Sequence, residues 1–276
     1  MKDATAKMPP DRMPEWALSL MALGLRTVGR ASDSVRLGYQ RGFDSGEMMD
    51  IIYRNEARGR FVVGRLFDRA YLDQPGCRGL RGRKELLKAT LREVIAEQRA
   101  AGRRPLIVDV AAGPGTYLVE LLAEPEQADV SAIARDLDPH GLGRGRALAN
   151  ERGIGEERLR YVEADALDPA TFGVGEPPTI VIASGFYEIL LDDDLIRRSM
   201  ATIRSVLAED GRFVFTTQVA HPQVRMMAHV PNRHGEPWII RNRALPLTEG
   251  LARDAGFDVV QSRLESTGIF AVTLAR

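Results

Sequence analysis

Three acidic residues and one loop of small residues carry most of the chemistry this sequence offers. Val108-Asp109-Val110-Ala111-Ala112-Gly113-Pro114-Gly115-Thr116-Tyr117 reads as a buried strand that runs into a tight turn, with a helix over Leu118–Leu122 beginning at once. Small side chains at Ala111, Gly113 and Gly115 let the backbone approach a ligand closely, and free N–H groups at a helix start favour polar or anionic partners. Asp109, at the strand end, is placed to orient the loop or to reach a ligand through water. The next strand closes with Ala134-Arg135-Asp136-Leu137-Asp138-Pro139. An acid about 20 residues beyond such a loop suits the paired hydroxyls of a ribose; Asp136 holds the better position and Asp138 the second. A third strand gives Val162-Glu163-Ala164-Asp165-Ala166, where Asp165 suits an adenine amino group. Taken singly, each acid reads equally well as a surface or capping carboxylate. Together they fall at three successive strand ends, the carboxyl edge at which open α/β sheets bind ligands.

The elements that would hold these residues follow from periodicity. Beyond Gly102, short apolar runs alternate with helical stretches, the pattern of a parallel sheet wound with helices. Strands are expected at Leu106–Val110, Val130–Ala134, Leu159–Val162, Thr179–Ala183 and Arg212–Thr217. A helix near Leu195–Leu207 would turn Ile196, Met200, Ile203 and Leu207 inward, and another should end at Gly256. The last two runs, Val259–Leu264 and Ile269–Leu274, read as an antiparallel hairpin at the sheet edge. Before Gly102 the pattern is helical. Pro9, Pro10 and Pro14 mark a loose start, and Trp16, Leu20, Leu23 and Val28 suit one helical face. Pro75-Gly76 reads as a turn, and a helix is expected from about Lys84 to Ala100 with Leu87, Leu91, Val94 and Ile95 on one side. The expected organisation is a helical cap over residues 1–100 and an α/β core over 101–276.

Composition narrows the class. The chain has 276 residues, 44% hydrophobic and 28% charged, which is ordinary for a folded globular protein. Lys+Arg and Asp+Glu balance at 38 each, so no global field favours nucleic acid or an acidic membrane. A single cysteine, Cys77, excludes an intrachain disulfide and fits a reducing cytoplasm. The early apolar run Trp16–Leu25 is shorter than the roughly 20 residues needed to span a bilayer, and Asp11 and Glu15 interrupt the basic lead-in of a secretory signal. His221, His229 and His234 match no zinc spacing, so no metal is expected.

With these residues in view, the core resembles class I S-adenosylmethionine-dependent methyltransferases. Asp109 to Gly115 looks like their first motif, with Ala111 in place of its first glycine. Asp136 and Asp165 look like their ribose and adenine acids, and Leu207 to Phe213 and Ala255-Gly256-Phe257 look like the turns before their fifth and sixth strands. The resemblance implies a Rossmann-like sheet of seven strands, S-adenosylmethionine as cofactor, and a site that includes Leu137, Ala166 and Ser184. A narrower resemblance takes in Gly42-Phe43-Asp44-Ser45-Gly46, Ile52-Tyr53-Arg54-Asn55, Gly76 to Arg81, Ser184 to Glu188, and Gln218 to Gln223. These look like a group of bacterial methyltransferase-like proteins sometimes fused behind an α/β-hydrolase domain, with Cys77 and Thr116 departing from its pattern.

At the reacting end, the resemblance makes Phe186 or Tyr187 a face for the sulfonium, since an aromatic ring attracts a desolvated cation by roughly 0.5–2 kcal/mol. Core packing explains both rings equally. Glu188 would serve as a general base if it reaches the acceptor proton. Asp192, Asp193 and Asp194 suit the cap of the following helix. From the cap, Phe43, Tyr53, Arg54 and Tyr71 are the aromatic and basic candidates, with Tyr53 and Arg54 placed to shield the sulfonium or meet the methionine carboxylate. Residues 218–243 lie where such enzymes insert an acceptor-shaping element.

The expected function is methyl transfer to a small-molecule or natural-product acceptor, in a chain that is cytoplasmic and compatible with a homodimer. Two alternatives keep the fold. An azetidine-2-carboxylate synthase-like enzyme would cyclise S-adenosylmethionine and release methylthioadenosine; a non-catalytic binding protein would only hold it. A nicotinamide dehydrogenase is disfavoured, because Leu118 stands where the third glycine of its loop belongs. A nucleic-acid methyltransferase is disfavoured by the missing Asn-Pro-Pro-Tyr-like motif.

Overall fold

The structure is a computed structural model that describes residues 13–168, 172 and 175–276. Pro9, Pro10 and Asp11 of the expected N-terminal segment, and the side chain of Val28, lie outside the described residues. The chain divides into two compact units.

The larger unit, residues 84–217, 243–263 and 271–276, holds the sheet. Its strands are β1 (Leu106–Asp109), β2 (Ser131–Asp136), β3 (Leu159–Glu163), β4 (Ile180–Ala183), β5 (Arg212–Gln218), β6 (Val259–Leu264) and β7 (Phe270–Ala275), in the order β3-β2-β1-β4-β5-β7-β6. β1 to β5 pair in parallel. Main-chain bonds exchanged between Asp258 and Arg276 mark β6 and β7 as the antiparallel hairpin expected from the terminal runs. Register brings the carboxyl ends together, Asp109 opposite Ala134 and Asp136 opposite Glu163.

Both faces of the central strands are covered, so β1, β4 and β5 are buried on both sides, whereas β3 alternates. On one face Ile107, Ile182 and Val214 pack with Leu87, Leu91 and Ile95 of α5 (Pro75–Ala100) and with Leu118 and Leu121 of α6 (Thr116–Leu122). On the other, Val108, Val181 and Phe213 meet Ile196, Met200 and Ile203 of α8 (Asp193–Val206) and Leu251 of α10 (Leu245–Asp254). The side chains predicted to face inward from α8 are those that do.

The smaller unit comprises residues up to Arg83 with 218–242 and 264–270, so the division falls at Arg83 and Lys84 rather than at 100 and 101. It is built from α1 (Glu15–Arg26), α2 (Asp33–Arg41), α3 (Gly46–Arg54), α4 (Phe61–Leu72), the first turns of α5, and the short α9 (Val224–Met227). Pro75 opens α5 instead of breaking the chain. A proline at the first helical position loses only an N–H that has no helical partner anyway. The helix therefore starts nine residues earlier than its apolar periodicity suggests, because Gly76, Gly79 and Gly82 interrupt that periodicity. They form a seam of small residues. A Cβ on Gly79 would lie 3.0 Å from Thr267 Oγ1, and one on Gly82 would lie 2.7 Å from Glu265 Oε2.

Helix α1 carries Trp16, Leu20 and Leu23 on one face, as their spacing predicts. Leu18 is its buried residue, whereas Trp16, Leu20 and Leu23 are 71%, 61% and 56% exposed. A regular apolar stripe shows which face is apolar, not what covers it.

Asp68 organises this unit. It is fully buried, and its carboxylate accepts from Ser34 N at 3.0 Å, Arg58 N at 2.8 Å, Gly59 N at 2.6 Å and from Ser32 Oγ. Burial alone would raise its pKa, but the hydrogen bonds from Ser32, Ser34 and Arg58 outweigh it and hold the carboxyl below its ordinary value. A lowered folded pKa adds stability above the unfolded value of about 3.9, which is lost as pH falls through the folded one. Asp68→Asn should destabilise this unit by about 1–3 kcal/mol, since an amide cannot accept from all four donors. Amide exchange at Ser34, Arg58 and Gly59 checks this: it should accelerate in the variant, and wild-type protection should fade below pH 4 while the variant's changes little.

Candidate functional site

The carboxyl edge of the sheet is assembled around Asp136. One carboxylate oxygen accepts from Gly113 N at 2.7 Å and the other from Asp138 N at 2.9 Å, while its main-chain oxygen accepts from Ala164 N at 3.0 Å. Gly113 and Gly115 take left-handed conformations, φ 55° and 63°, which L side chains avoid. A Cβ on Gly113 would meet nothing within 4 Å, so the turn and not crowding requires this glycine, and the space before it is open. Ala111, Ala112 and Gly113 are half-buried, Gly115 buried.

Two supports hold the loop from beneath. Tyr161 on β3 donates its hydroxyl to Pro114 O at 3.1 Å. Its ring fits against Gly145 of α7 (Pro139–Glu151), where a Cβ would come within 2.3 Å of the ring. Asp109 is fully buried; it accepts from Ala111 N at 3.4 Å and from the Tyr117 hydroxyl. Burial pushes its carboxyl up to about 7, against the lowering effect of those bonds.

Asp138 caps α7, accepting from His140 N at 3.0 Å. This turns its carboxylate to the helix end. Asp165 is half-buried and accepts from Leu167 N at 2.8 Å; Ala166 beside it is buried, and Leu137 is 63% exposed next to Asp136. Arg135, absent from the sequence-based site, is 1% exposed, stacks 4.0 Å over the Phe172 ring and donates to Asp165 O at 3.4 Å. A guanidinium inside an otherwise apolar strand was the available signal.

Beyond β4 the half-buried Ser184 leads into Gly185, φ 73°. Gly185 N donates to Thr216 Oγ1 at 2.9 Å, which in turn donates to Glu188 Oε1 at 2.9 Å. Glu188, 5% exposed, therefore braces the turn rather than presenting a free base. Tyr187 also departs from its expected place at the reacting centre. It is 1% exposed, packs against Phe186 and Phe215, and shares a hydrogen bond with Ser199 Oγ at 3.3 Å. Burial raises its phenol well above the ordinary value. An aromatic pair after a strand fits a core as readily as a pocket, and here the core takes Tyr187. Arg243, also missed by the sequence reading, fixes the same loop through Tyr187 O at 2.7 Å, Leu190 O at 2.5 Å and Asp193 at 2.8 Å. Asp192 caps α8 through Asp194 N at 2.8 Å, as expected.

Tyr53 belongs to the smaller unit, half-buried on α3, and its hydroxyl accepts from Arg83 Nη2 at 3.5 Å. Among the described residues no group of three or more His, Cys, Asp or Glu could hold a metal ion, and no helix is long and apolar enough to cross a membrane.

Known proteins place this architecture. Residues 2–276 match the family described as "Putative methyltransferase". The chain belongs to this family, and with it to the class I methyltransferase fold, whose cofactor is S-adenosylmethionine. It is 35% identical over 263 residues to the uncharacterized protein YnbC of Escherichia coli K12, covering 94% of this chain but 44% of that longer relative. In fold it is similar to a protein from Bordetella parapertussis described as a possible exported protein, at a TM-score of 0.67, 16% identity, and coverage of 98% and 99% of the two chains. It is also similar to magnesium protoporphyrin IX methyltransferase from Synechocystis PCC 6803, solved with bound SAH, at a TM-score of 0.57, 15% identity, and coverage of 86% and 96%.

The buried Asp109 gives the loop a pH dependence. A carboxyl whose folded pKa is raised contributes most stability below the unfolded value of about 3.9 and loses it as pH rises towards 7. Denaturant melts from pH 4 to 8 should show a falling component across this window. Asp109→Asn should remove it, and an unchanged slope in that variant would contradict the assignment.

Proposed function

We propose that the chain binds S-adenosylmethionine at the edge formed by the exits of β1, β2 and β3 and transfers its methyl group to a small-molecule acceptor. The arrangement of Asp136 carries this reading. Two of the roughly four lone-pair sites of its carboxylate are spent on Gly113 and Asp138, which fixes its orientation and leaves capacity for ribose hydroxyls. Open space before Gly113 admits the ligand to the main chain at Ala111–Gly115, and the exposed Leu137 gives the adenine an apolar surface. Asp165, oriented by Leu167 N, accepts from the adenine amino group, with Ala166 and Ser184 completing the wall. Asp109 acts from beneath, as the group that sets the loop.

The bound cofactor supplies a methyl carbon made electrophilic by the sulfonium. The residues described therefore work by positioning and by excluding water. Glu188 and Arg243 hold the β4 exit. A reducing cytoplasmic setting is supported by the lone buried thiol of Cys77. A nucleic-acid acceptor is disfavoured by charge balance, and a homodimer is compatible with this reading.

Product analysis after incubation with S-adenosylmethionine as the sole substrate tests the reaction. Methyl transfer predicts no turnover until an acceptor is added; methylthioadenosine with a cyclic amino acid would replace it with the cyclase. In calorimetric titration, Asp136→Ala should weaken S-adenosylmethionine binding by about 1–3 kcal/mol, from lost hydrogen bonds to a charged acceptor. Unchanged affinity in the folded variant would contradict the ribose assignment.

A further inference from the structure

The smaller unit contains a cavity of about 410 Å³ that the proposed reaction does not use. Its size lies within the ~300–1,000 Å³ common for small-molecule sites. None of the residues lining it is Asp, Glu, Lys or Arg. Phe43, Tyr71, Met226 and Trp238 provide much of its apolar wall, with the Phe43 and Tyr71 rings 6.2 Å apart. An ion placed against this wall would lose its hydration with no opposite charge to replace it. That argues against S-adenosylmethionine itself, which carries a sulfonium, an ammonium and a carboxylate.

Most polar groups in the wall are satisfied by one another. Gln223 Nε2 donates to Gln74 Oε1 at 2.8 Å, Gly76 N donates to Gln223 Oε1 at 3.4 Å, and Tyr71 bonds the Cys77 thiol. Burial pushes that thiol up to about 12, which keeps it protonated and unreactive. Two N–H donors are different. His221 Nδ1 accepts from Gln223 N at 3.1 Å, so the ring proton resides on Nε2. Burial pulls its pKa down to about 4, leaving a neutral ring. Nε2 occupies space that a Cβ on Gly76 would enter at 2.4 Å, so the glycine makes room for this ring. The second donor is Trp238 Nε1–H, buried and without a hydrogen-bond partner among the described residues. An unsatisfied buried donor is destabilising, a cost that a ligand oxygen would remove. The way in is apolar too: Met13, Met21 and Phe67 line the cavity and are also 37–42% exposed.

We propose that this cavity binds a neutral, lipophilic small molecule carrying a carbonyl or ether oxygen, which accepts hydrogen bonds from His221 Nε2–H and Trp238 Nε1–H. The site rests on the smaller unit alone and does not depend on methyl transfer.

Titration of the full chain with the neutral fluorescent naphthyl ketone prodan tests it. The expected result is saturable one-to-one binding, with anilinonaphthalene sulfonate, similar in size but anionic, binding at least roughly tenfold more weakly. His221→Phe and Trp238→Phe should each weaken prodan roughly tenfold. Ala70→Trp, at an exposed lining position, should obstruct it without disturbing a packed core. Asp136→Ala should leave prodan binding unchanged, which separates this site from that of the cofactor. Non-saturable binding, equal affinity for the anionic probe, or indifference to all three cavity substitutions would overturn the proposal.

Discussion

One carboxylate ties the strand exits of the larger unit together. Asp136 ends β2, holds the loop after β1 through Gly113 N, turns its own chain towards α7 through Asp138 N, and receives Ala164 from the exit of β3 on its main-chain oxygen. Hydrogen bonds to a charged acceptor are roughly twice as strong as neutral ones. A single residue thereby converts three separate strand ends into one edge. That bond set fixes the orientation of the acid and holds the left-handed turn at Gly113.

The site also depends on what lies beneath it. Asp109 and Tyr117 grip each other inside the core, Tyr161 carries Pro114, and Gly145 is small because the Tyr161 ring occupies the place of a side chain. Groups that meet a ligand are positioned well when their supporting neighbours are locked by packing. The same logic operates after β4, where Thr216, Glu188 and Arg243 fix a glycine turn without themselves being exposed. Proximity in sequence to a reacting centre does not make a residue reactive.

The strands were legible because a sheet covered on both faces demands continuous β-branched and aliphatic runs, and Leu106, Ile180 and Arg212 open runs of that kind. The acids at the strand ends were legible because register is fixed once the strands are. Burial was not. Tyr187 and Glu188 have the residue types of a catalytic pair, yet three-dimensional packing places the first in the core and the second under a turn. The helical unit was read least well. Its glycines hid the start of α5; the periodicity of α1 located an apolar face but not its exposure, because helical periodicity carries no information about the partner of a face. Arg135 and Tyr161 escaped notice because their parts are played across strands, through contacts absent from any local motif.

The central claim is that the exits of β1, β2 and β3 form one ligand edge organised by Asp136. Hydrogen–deuterium exchange of the intact chain, with and without S-adenosylmethionine, measures this most directly. Protection on ligand addition should concentrate at Ala111–Thr116, Asp136–Asp138 and Asp165–Leu167, and should disappear together in Asp136→Ala. Exchange left unchanged at all three segments, or protection confined to residues outside them, would contradict it.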